Sequence, residues 1–335
     1  MLSFTIRRLI MMIPTLLLIS LVIFLLLELA PGDPMAQIPL TVPPEVKQQM
    51  RLALGLGEPM HIRYWKWIVQ FFWLEPQVLI DYYFGSSFSE GKLRVISWQT
   101  RGPVMDLVVQ RLPQTVWVVG MSYIVGVVIA LPIGIYSAYK QYSIFDQTGT
   151  FISMVGYSVP PFFSGVLVIV IFSVTLGWFP SIYDTTLVVN SWDNFVLQLK
   201  QMIMPVMVLA LQTTAQISRF MRASMLDNLN QDYVRTARAK GLGESVVVMV
   251  HVLRNSMIPV VTVIALGVPS VFGGAIITEQ VFRVNGIGQL LITAIQATDL
   301  PLVQTLTFMF AILIVIFNLI ADILYGVLDP RIRYD

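Results

Sequence analysis

Cysteine is absent from this 335-residue chain, and histidine and charged residues are scarce. Without cysteine there is no disulfide, no thiolate nucleophile and no cysteine-ligated metal site. The two histidines, His61 and His251, are too few and too far apart in sequence to suggest zinc. Charged residues make up 12% of the chain, against about 25% in a soluble domain. The near balance of 21 basic and 19 acidic residues gives no reason to expect a nucleic-acid partner.

Apolar residues, by contrast, make up 56% of the chain, and the mean hydropathy is +0.76. A helix needs about 20 apolar residues to cross a bilayer. We therefore predict an all-α integral membrane protein with six transmembrane helices. The six runs are Leu9–Ala30, Gln114–Tyr139, Phe151–Trp178, Ile203–Met221, Pro259–Phe282 and Val303–Leu328. A cleaved signal peptide is disfavoured for the first run, because its length exceeds the usual core of about 7–15 residues.

Lysine and arginine in short loops indicate the orientation of such a chain. With the N-terminus inside, the cytoplasmic segments hold eleven of these residues and the two short outer loops hold only Lys200 and Arg283. We therefore predict that both termini are cytoplasmic. The chain then divides into an N-terminal segment with the first helix (1–30), an extracytoplasmic region (31–113) and a five-helix core (114–335).

The predicted extracytoplasmic region contains two candidate helices. Its opening sequence APGDP must end the first transmembrane helix, because proline and glycine stop helices. Residues 42–58 predict a short amphipathic helix that is entered through Pro44 and stopped by Gly55 or Gly57. The aromatic segment YWKWIVQFFW, residues 64–73, fits a helix at the membrane surface, where tryptophan and tyrosine concentrate. A small helix packed under the loop fits the pattern equally well.

The longest predicted cytoplasmic connection, residues 222–258, contains the sequence QDYVRTARAKGL at 231–242. We predict a helix of about ten residues, with Asn228 or Asn230 at its N-cap and Asp232 in its first turn. Gly241 and Gly243 offer the left-handed conformation that ends it. A helix this short is marginal alone in water, so it needs a contact that holds it.

One face of this predicted helix combines small and anchoring side chains, at spacings of three and four residues. That face consists of Tyr233, Thr236, Ala237 and Lys240. Small residues let another backbone come close, which favours a protein contact. A basic helix that only touches anionic lipid would carry the same charges. A second helical stretch, Glu244–Asn255, is predicted to stop at Ile258–Pro259.

The order of motifs along the chain resembles the permeases of ABC importers, in the form found in the oligopeptide and dipeptide group. The loop sequence DYVRTARAKGLGE…HVLRNSMIPVVT is similar to their cytoplasmic EAA-type loop, with Arg235-Thr236-Ala237 where the general motif has Glu-Ala-Ala. Further matching stretches are RRL…PTLLLISLVIFLLLELAPGDP, QRLPQT, SVPPFF, GGAIITEQVFRVNGIGQLL and LDPRIRYD. Together they cover nearly the whole chain.

The resemblance implies a permease subunit in the bacterial cytoplasmic (inner) membrane, one of two related permeases that together form the translocation path. Its other partners would be two cytoplasmic ATP-binding subunits, which hold ATP and magnesium, and an extracytoplasmic solute-binding protein. Di- or oligopeptides are the expected cargo; nickel complexes and oligosaccharides are alternatives. The loop helix would dock in an ATPase cleft. The residues expected to make that contact are Tyr233, Arg235, Thr236, Ala237, Arg238, Lys240, Gly241 and Leu242.

Polar residues at membrane depth are candidates for the translocation path, since they need protein or water around them. Gln212 and Gln216 are four residues apart on the fourth run, and Asn318 precedes Asp322 by four on the sixth. Such pairs equally join helices or subunits. Ser158 opens a proline break that fits either a gate or a static kink. By resemblance, Glu279 borders the outer mouth.

Other functions fit the sequence less well. Its sole Gly-Lys pair, Gly91–Lys92, is followed by leucine, so it does not match a phosphate-binding P-loop. We therefore expect no catalytic residue, no metal site and no cofactor bound by this chain. An ion-coupled transporter would need an ionisable residue near mid-membrane, and none of the six runs has one there. An intramembrane serine protease is disfavoured, because both histidines fall outside the runs. A receptor or scaffold would show no ATP-dependent uptake.

Overall fold

The computed structural model describes residues 2–29, 43–45, 48, 57–92 and 94–328. Helices account for most of this part of the chain. They are α1 (Leu2–Glu28), α2 (Met60–Val69), α3 (Glu75–Phe84), α4 (Val104–Tyr139), α5 (Ile144–Ser158), α6 (Pro161–Val168), α7 (Trp192–Leu229), α8 (Asp232–Ala239), α9 (Glu244–Val246), α10 (Leu253–Phe282), α11 (Ile287–Gln296) and α12 (Leu300–Leu328). Wider π-helical turns follow α2, α6 and α9, at Gln70–Leu74, Ile169–Thr175 and Val247–Val252.

Five helical segments in the described residues are long and apolar enough to cross a membrane, and a bent pair supplies a sixth. The bent pair consists of α5 and of α6 with its π turn, which meet at 105°. The all-α membrane fold with six spans is therefore confirmed when the pair counts as one span. The cytoplasmic placement of the termini and the three-part division of the chain stay predictions.

The bend lies at the break that the sequence predicts between Ser158 and Pro161. Val159 and Pro160 both precede a proline, and the ring of a proline disfavours the helical conformation in the residue before it. Both residues are extended, with ψ of 124° and 142°. Pro161 then begins α6, where its missing N–H costs no helical hydrogen bond.

The predicted stop at Ile258–Pro259 is wrong. Helical structure runs from Glu244 through the π turn into α10, which continues to Phe282 with Pro259 and Pro269 inside it. A proline removes only one backbone hydrogen bond from a helix, and packed neighbours in a membrane compensate for it. The predicted run Ile203–Met221 is likewise only the apolar centre of α7, which begins after the capping hydroxyl of Ser191.

The described chain forms two compact units. The large unit contains the described residues within 1–11, 114–288 and 313–335, and the small unit contains those within 12–113 and 289–312.

Glycines and serines bring the helices of the large unit close together. A Cβ on Gly134 of α4 would lie 2.6 Å from Met221 Cβ of α7, and one on Gly126 would lie 2.7 Å from Thr213 Cβ. The Ser224 hydroxyl donates to the backbone oxygen of Ser256 at 2.8 Å, which joins α7 to α10. Helix α7 therefore packs tightly against both neighbours.

The small unit has an aromatic core. Trp67 and Phe71 are buried, and their rings lie 5.3 and 4.9 Å from that of Phe308 in α12. Tyr64 packs edge-on against Phe24 of α1 at 5.3 Å. The segment 64–73 is thus helical, and one side of it packs against α1 and α12. The predicted helix within 42–58 lies largely outside the described residues.

Two carboxylates in the small unit hold neighbouring segments together, one through an ion pair and one through hydrogen bonds. Glu28, the last residue of α1, forms an ion pair with Arg63 of α2. Asp299 is fully buried, and accepts hydrogen bonds from the backbone N–H groups of Trp98 and Gln99 at 3.1 and 3.2 Å. Asp299 therefore fixes the loop that precedes α4.

Candidate functional site

Helix α8 forms where the sequence predicts it, but its N-cap residue differs from the predicted one. Gln231 occupies the N-cap and makes no side-chain capping bond, while Asn228 and Asn230 belong to the end of α7. The predicted asparagine cap is therefore wrong. Asn228 serves α8 in another way, because its side-chain oxygen accepts a hydrogen bond from the Tyr233 hydroxyl at 2.8 Å.

The end of α8 matches the prediction at Gly241 and not at Gly243, which is extended with φ of −61°. Gly241 has φ of +77°, in the left-handed region that glycine tolerates best. Arg238 in the last turn donates two hydrogen bonds to Glu244, at 3.1 and 2.7 Å. These hydrogen bonds raise the pKa of Arg238 above its usual range. The ion pair links the last turn of α8 to the start of the next helical segment.

The buried face of α8 is narrower than predicted. Val234 is fully buried and Ala237 is 6% exposed, and both pack in one cluster with Met221, Met225, Val247, Val248 and Val252. Thr236 and Lys240, expected on the same face, are exposed. The sequence contained the missed signal, since Val234 and Ala237 are three residues apart and Val234 is the only aliphatic side chain larger than alanine in α8.

Ala237 packs against other residues of the same chain, so in this conformation its methyl group holds α8 in place. The ATPase contact expected of Ala237 stays a prediction. The exposed residues of the predicted site lie on the remaining surface of α8 and just after it: Arg235, Thr236, Arg238, Lys240, Gly241 and Leu242. The Arg235 side chain is 75% exposed, and its nearest carboxylate oxygen, on Asp232, is 3.6 Å away.

An ion pair between a buried aspartate and a partly buried arginine was missed by sequence reasoning. Asp146, at the start of α5, is 2% exposed and accepts hydrogen bonds from Arg222 of α7 at 2.6 and 2.7 Å. It also accepts one from the backbone N–H of Tyr142 at 2.9 Å. Sequence reasoning counted Arg222 only as a positive charge on the inner side. The pair joins α5 to the end of α7 that leads into α8.

The candidate path residues have different environments. Gln212 and Gln216 are half-buried on α7, and neither side chain forms a hydrogen bond within the described part of the chain. Ser158 is exposed at the end of α5, and Asn318 is exposed on α12. Asp322, on the same face as Asn318, pairs with Arg8 at 2.8 Å.

Glu279 does not line an open path in this conformation, because it is 1% exposed. The Thr115 hydroxyl donates to its carboxylate at 2.7 Å and accepts from the backbone N–H of Ile287 at 2.8 Å. Gly286 and Gly288 leave room for the carboxylate, since a Cβ on either would collide with it. Glu279 therefore holds the turn between α10 and α11. Thr115 was missed, although it ends the motif QRLPQT.

Two family models match the chain. The model described as binding-protein-dependent transport system inner membrane component matches residues 130–334, and the N-terminal model of such membrane components matches residues 1–119. The chain belongs to this family. It is therefore a multi-pass permease subunit of a bacterial inner-membrane import system, and the resemblance seen in the sequence is confirmed.

Curated relatives match the permease over its full length. It is 38% identical over 336 residues to the oligopeptide transport system permease protein AppB of Bacillus subtilis, covering 99% of each chain. It is 35% identical over 338 residues to the glutathione transport system permease protein GsiC of Salmonella paratyphi A and of Escherichia coli K12, covering 100% of each chain.

A solved structure shares the fold. It is an inward-facing form of the MetNI methionine ABC transporter, with a TM-score of 0.53 and 18% identity. The match covers 67% of this permease and 97% of that chain. At this identity the likeness shows the fold alone.

Proposed function

We propose that this permease imports di- or oligopeptides and forms half of the translocation path beside a second, homologous permease. The observation that carries the proposal is the full-length match to two permeases named for oligopeptide and for glutathione, which is itself a tripeptide. An extracytoplasmic solute-binding protein delivers the peptide. Two cytoplasmic subunits bind and hydrolyse ATP with magnesium, and this chain binds no cofactor.

Gln212 and Gln216 support a path for peptides along α7. A side-chain amide both donates and accepts hydrogen bonds, which matches the backbone groups of a peptide. Unpaired polar groups at membrane depth need a polar partner or water, and these two find none in the described part of their own chain. The exposed Ser158 and Asn318 belong to the same proposal; Glu279 does not, because it is buried.

The exposed side of α8 supports a contact with the ATPase. Arg235 and Lys240 project from a helix whose opposite side is anchored in the cluster around Val234. A docked partner would find a positively charged surface there and a rigid connection to α7 behind it. Coupling requires an element that has two arrangements, and both the ATPase site and the transport site must shift the equilibrium between them. In this proposal that element is the α7–α8 connection.

The cargo is tested by uptake into proteoliposomes that contain both permeases and both ATPases, with the binding protein outside. We expect ATP-dependent accumulation of labelled di- to pentapeptides. Nickel complexes and oligosaccharides are offered in parallel. Accumulation of either of these without peptide uptake would overturn the peptide assignment, and uptake without ATP would overturn the ABC mechanism.

The coupling surface is tested with Arg235→Glu and Lys240→Glu, separately and together. We expect unchanged amounts of protein in the membrane but weaker ATPase co-purification and lower peptide uptake, because each change reverses a charge at the contact. Lys200→Glu is the matched control, since Lys200 is also exposed but lies on the predicted outer side. Normal uptake and normal ATPase affinity in the double variant would show that α8 is not the docking element.

A further inference from the structure

One side of the small unit is apolar, exposed and without an explained partner. It runs along α2, the π turn and α3, and we call it the aromatic stripe. The stripe consists of Trp65, Val69, Phe72, Trp73, Ile80 and Phe84. Trp65, Trp73 and Phe84 are 65%, 70% and 82% exposed. The spacing of three, four or seven residues places most of these side chains along one helix face.

Charge is absent from the stripe itself. Between Trp65 and Phe84 the sequence has three charged residues, Lys66, Glu75 and Asp81. Lys66 forms an ion pair with Glu58, outside the stripe. Glu75 is buried beside Arg94, and the Asp81 carboxylate accepts hydrogen bonds from Ser86 and Ser89. An exposed apolar band of this kind on a protein surface marks contact with another protein or with lipid.

The packed side of α2 and the π turn shows how deep these elements lie relative to the ends of the membrane spans. The Tyr64 hydroxyl is 2.9 Å from the hydroxyl of Ser20. Ser20 precedes Glu28, the end of the first span, by eight residues, so it lies about 12 Å inside that end at 1.5 Å per residue.

The last span gives the same depth independently. Trp67 and Phe71 pack edge-on against Phe308, which follows Leu300, the first residue of that span, by eight residues. This again corresponds to about 12 Å along the helix. Both spans are part of a hydrocarbon layer about 30 Å thick, so the packed side of α2 lies well inside the span ends.

We propose that α2, the π turn and α3 are embedded in one leaflet of the bilayer, with the aromatic stripe in contact with lipid. A helix is only about 10–12 Å across. The side of α2 opposite Tyr64 and Trp67 is therefore no farther out than the span ends, and it faces away from the packed core. Tryptophan, tyrosine and phenylalanine suit this interfacial zone. Part of the region predicted as extracytoplasmic is then a membrane element rather than an aqueous domain.

The absence of cysteine makes this directly testable, because no native residue needs replacement before single cysteines are introduced. Val69→Cys and Trp73→Cys would carry a nitroxide spin label in the assembled transporter. The transporter would be held in nanodiscs of phosphatidylethanolamine and phosphatidylglycerol. Collision rates with oxygen, which concentrates in lipid, and with a water-soluble nickel chelate would then be compared.

Two control positions match the stripe in exposure. Leu18 on α1 is 63% exposed on a membrane span, and Val188 is 68% exposed in the loop before α7. We expect both stripe labels to give an oxygen-to-nickel ratio like that of Leu18→Cys. A ratio like that of Val188→Cys would place the stripe in water. Low collision rates with both reagents would mean that a protein covers it. Either of these results overturns the proposal, and neither depends on which solute is transported.

Discussion

Substitution of Val234 by alanine would detach α8 without unfolding the permease. The helix has eight residues and is marginal alone, and Val234 is the fully buried side chain that anchors it. The change removes two of the three side-chain carbons and leaves a cavity, which costs about 2–3 kcal/mol. Because about 1.4 kcal/mol is a factor of ten, the ratio of docked to undocked α8 should fall about 25- to 150-fold.

The undocked state can be measured through a cysteine at Ala237. In the docked helix this position is 6% exposed, so a maleimide reagent reaches it mainly when α8 detaches. The labelling rate of Ala237→Cys should then rise about 25- to 150-fold when Val234→Ala is added, because the rate follows the population of the open form. Thr236→Ala, which changes an exposed neighbour, is the matched control and should have little effect.

Two results would refute this reasoning. The first is that Ala237→Cys alone labels as fast as Ala239→Cys, which is exposed. This would mean that α8 is not docked on its own chain. An unchanged labelling rate in the presence of Val234→Ala would mean that burial of this side chain does not hold α8. If α8 also transmits ATPase closure, Val234→Ala should lower peptide uptake per ATP hydrolysed while the protein stays in the membrane.

Three further changes test the packing behind α8. Asp146→Asn should lower the stability by about 1–3 kcal/mol, seen as earlier thermal unfolding, because it leaves the partly buried Arg222 without its carboxylate; Asp146→Glu keeps the charge and should lose less. Gly134→Val should prevent close packing on α7 and lower the yield of folded permease, whereas Gly120→Val should not, since nothing lies within 4 Å of a Cβ there. Gly286→Ala should make the turn before α11 sensitive to protease, because its methyl group would collide with the buried carboxylate beneath it; normal resistance would contradict that role.

The sequence predicts the membrane fold well because its signals are local. A run of apolar residues can be recognised from consecutive positions in the sequence. The break at Pro160 follows from the conformations that proline allows in the residue before it. Helix ends are less predictable. Hydropathy detects only the apolar centre of α7, and Pro259 was expected to end a helix that in fact continues past it.

The candidate site is less predictable because it depends on contacts between distant residues. The burial of Ala237 depends on Val247 and Val248, which follow a glycine turn and a π turn. The pairing of Asp146 with Arg222 joins residues 76 positions apart, and that of Thr115 with Glu279 joins residues 164 positions apart. No periodic pattern within one helix contains this information.

The length of α7 has a mechanical consequence. Its 38 residues extend about 57 Å at 1.5 Å per residue, nearly twice the roughly 30 Å thickness of the hydrocarbon layer. A tilt of about 10° around its midpoint would therefore shift each tip by about 5 Å, given a half-length of about 28 Å. With α8 attached at one tip, a small rotation at mid-membrane becomes a displacement about as large as a side chain at the far end. Conversely, a displacement applied at that tip becomes proportionally smaller towards mid-membrane.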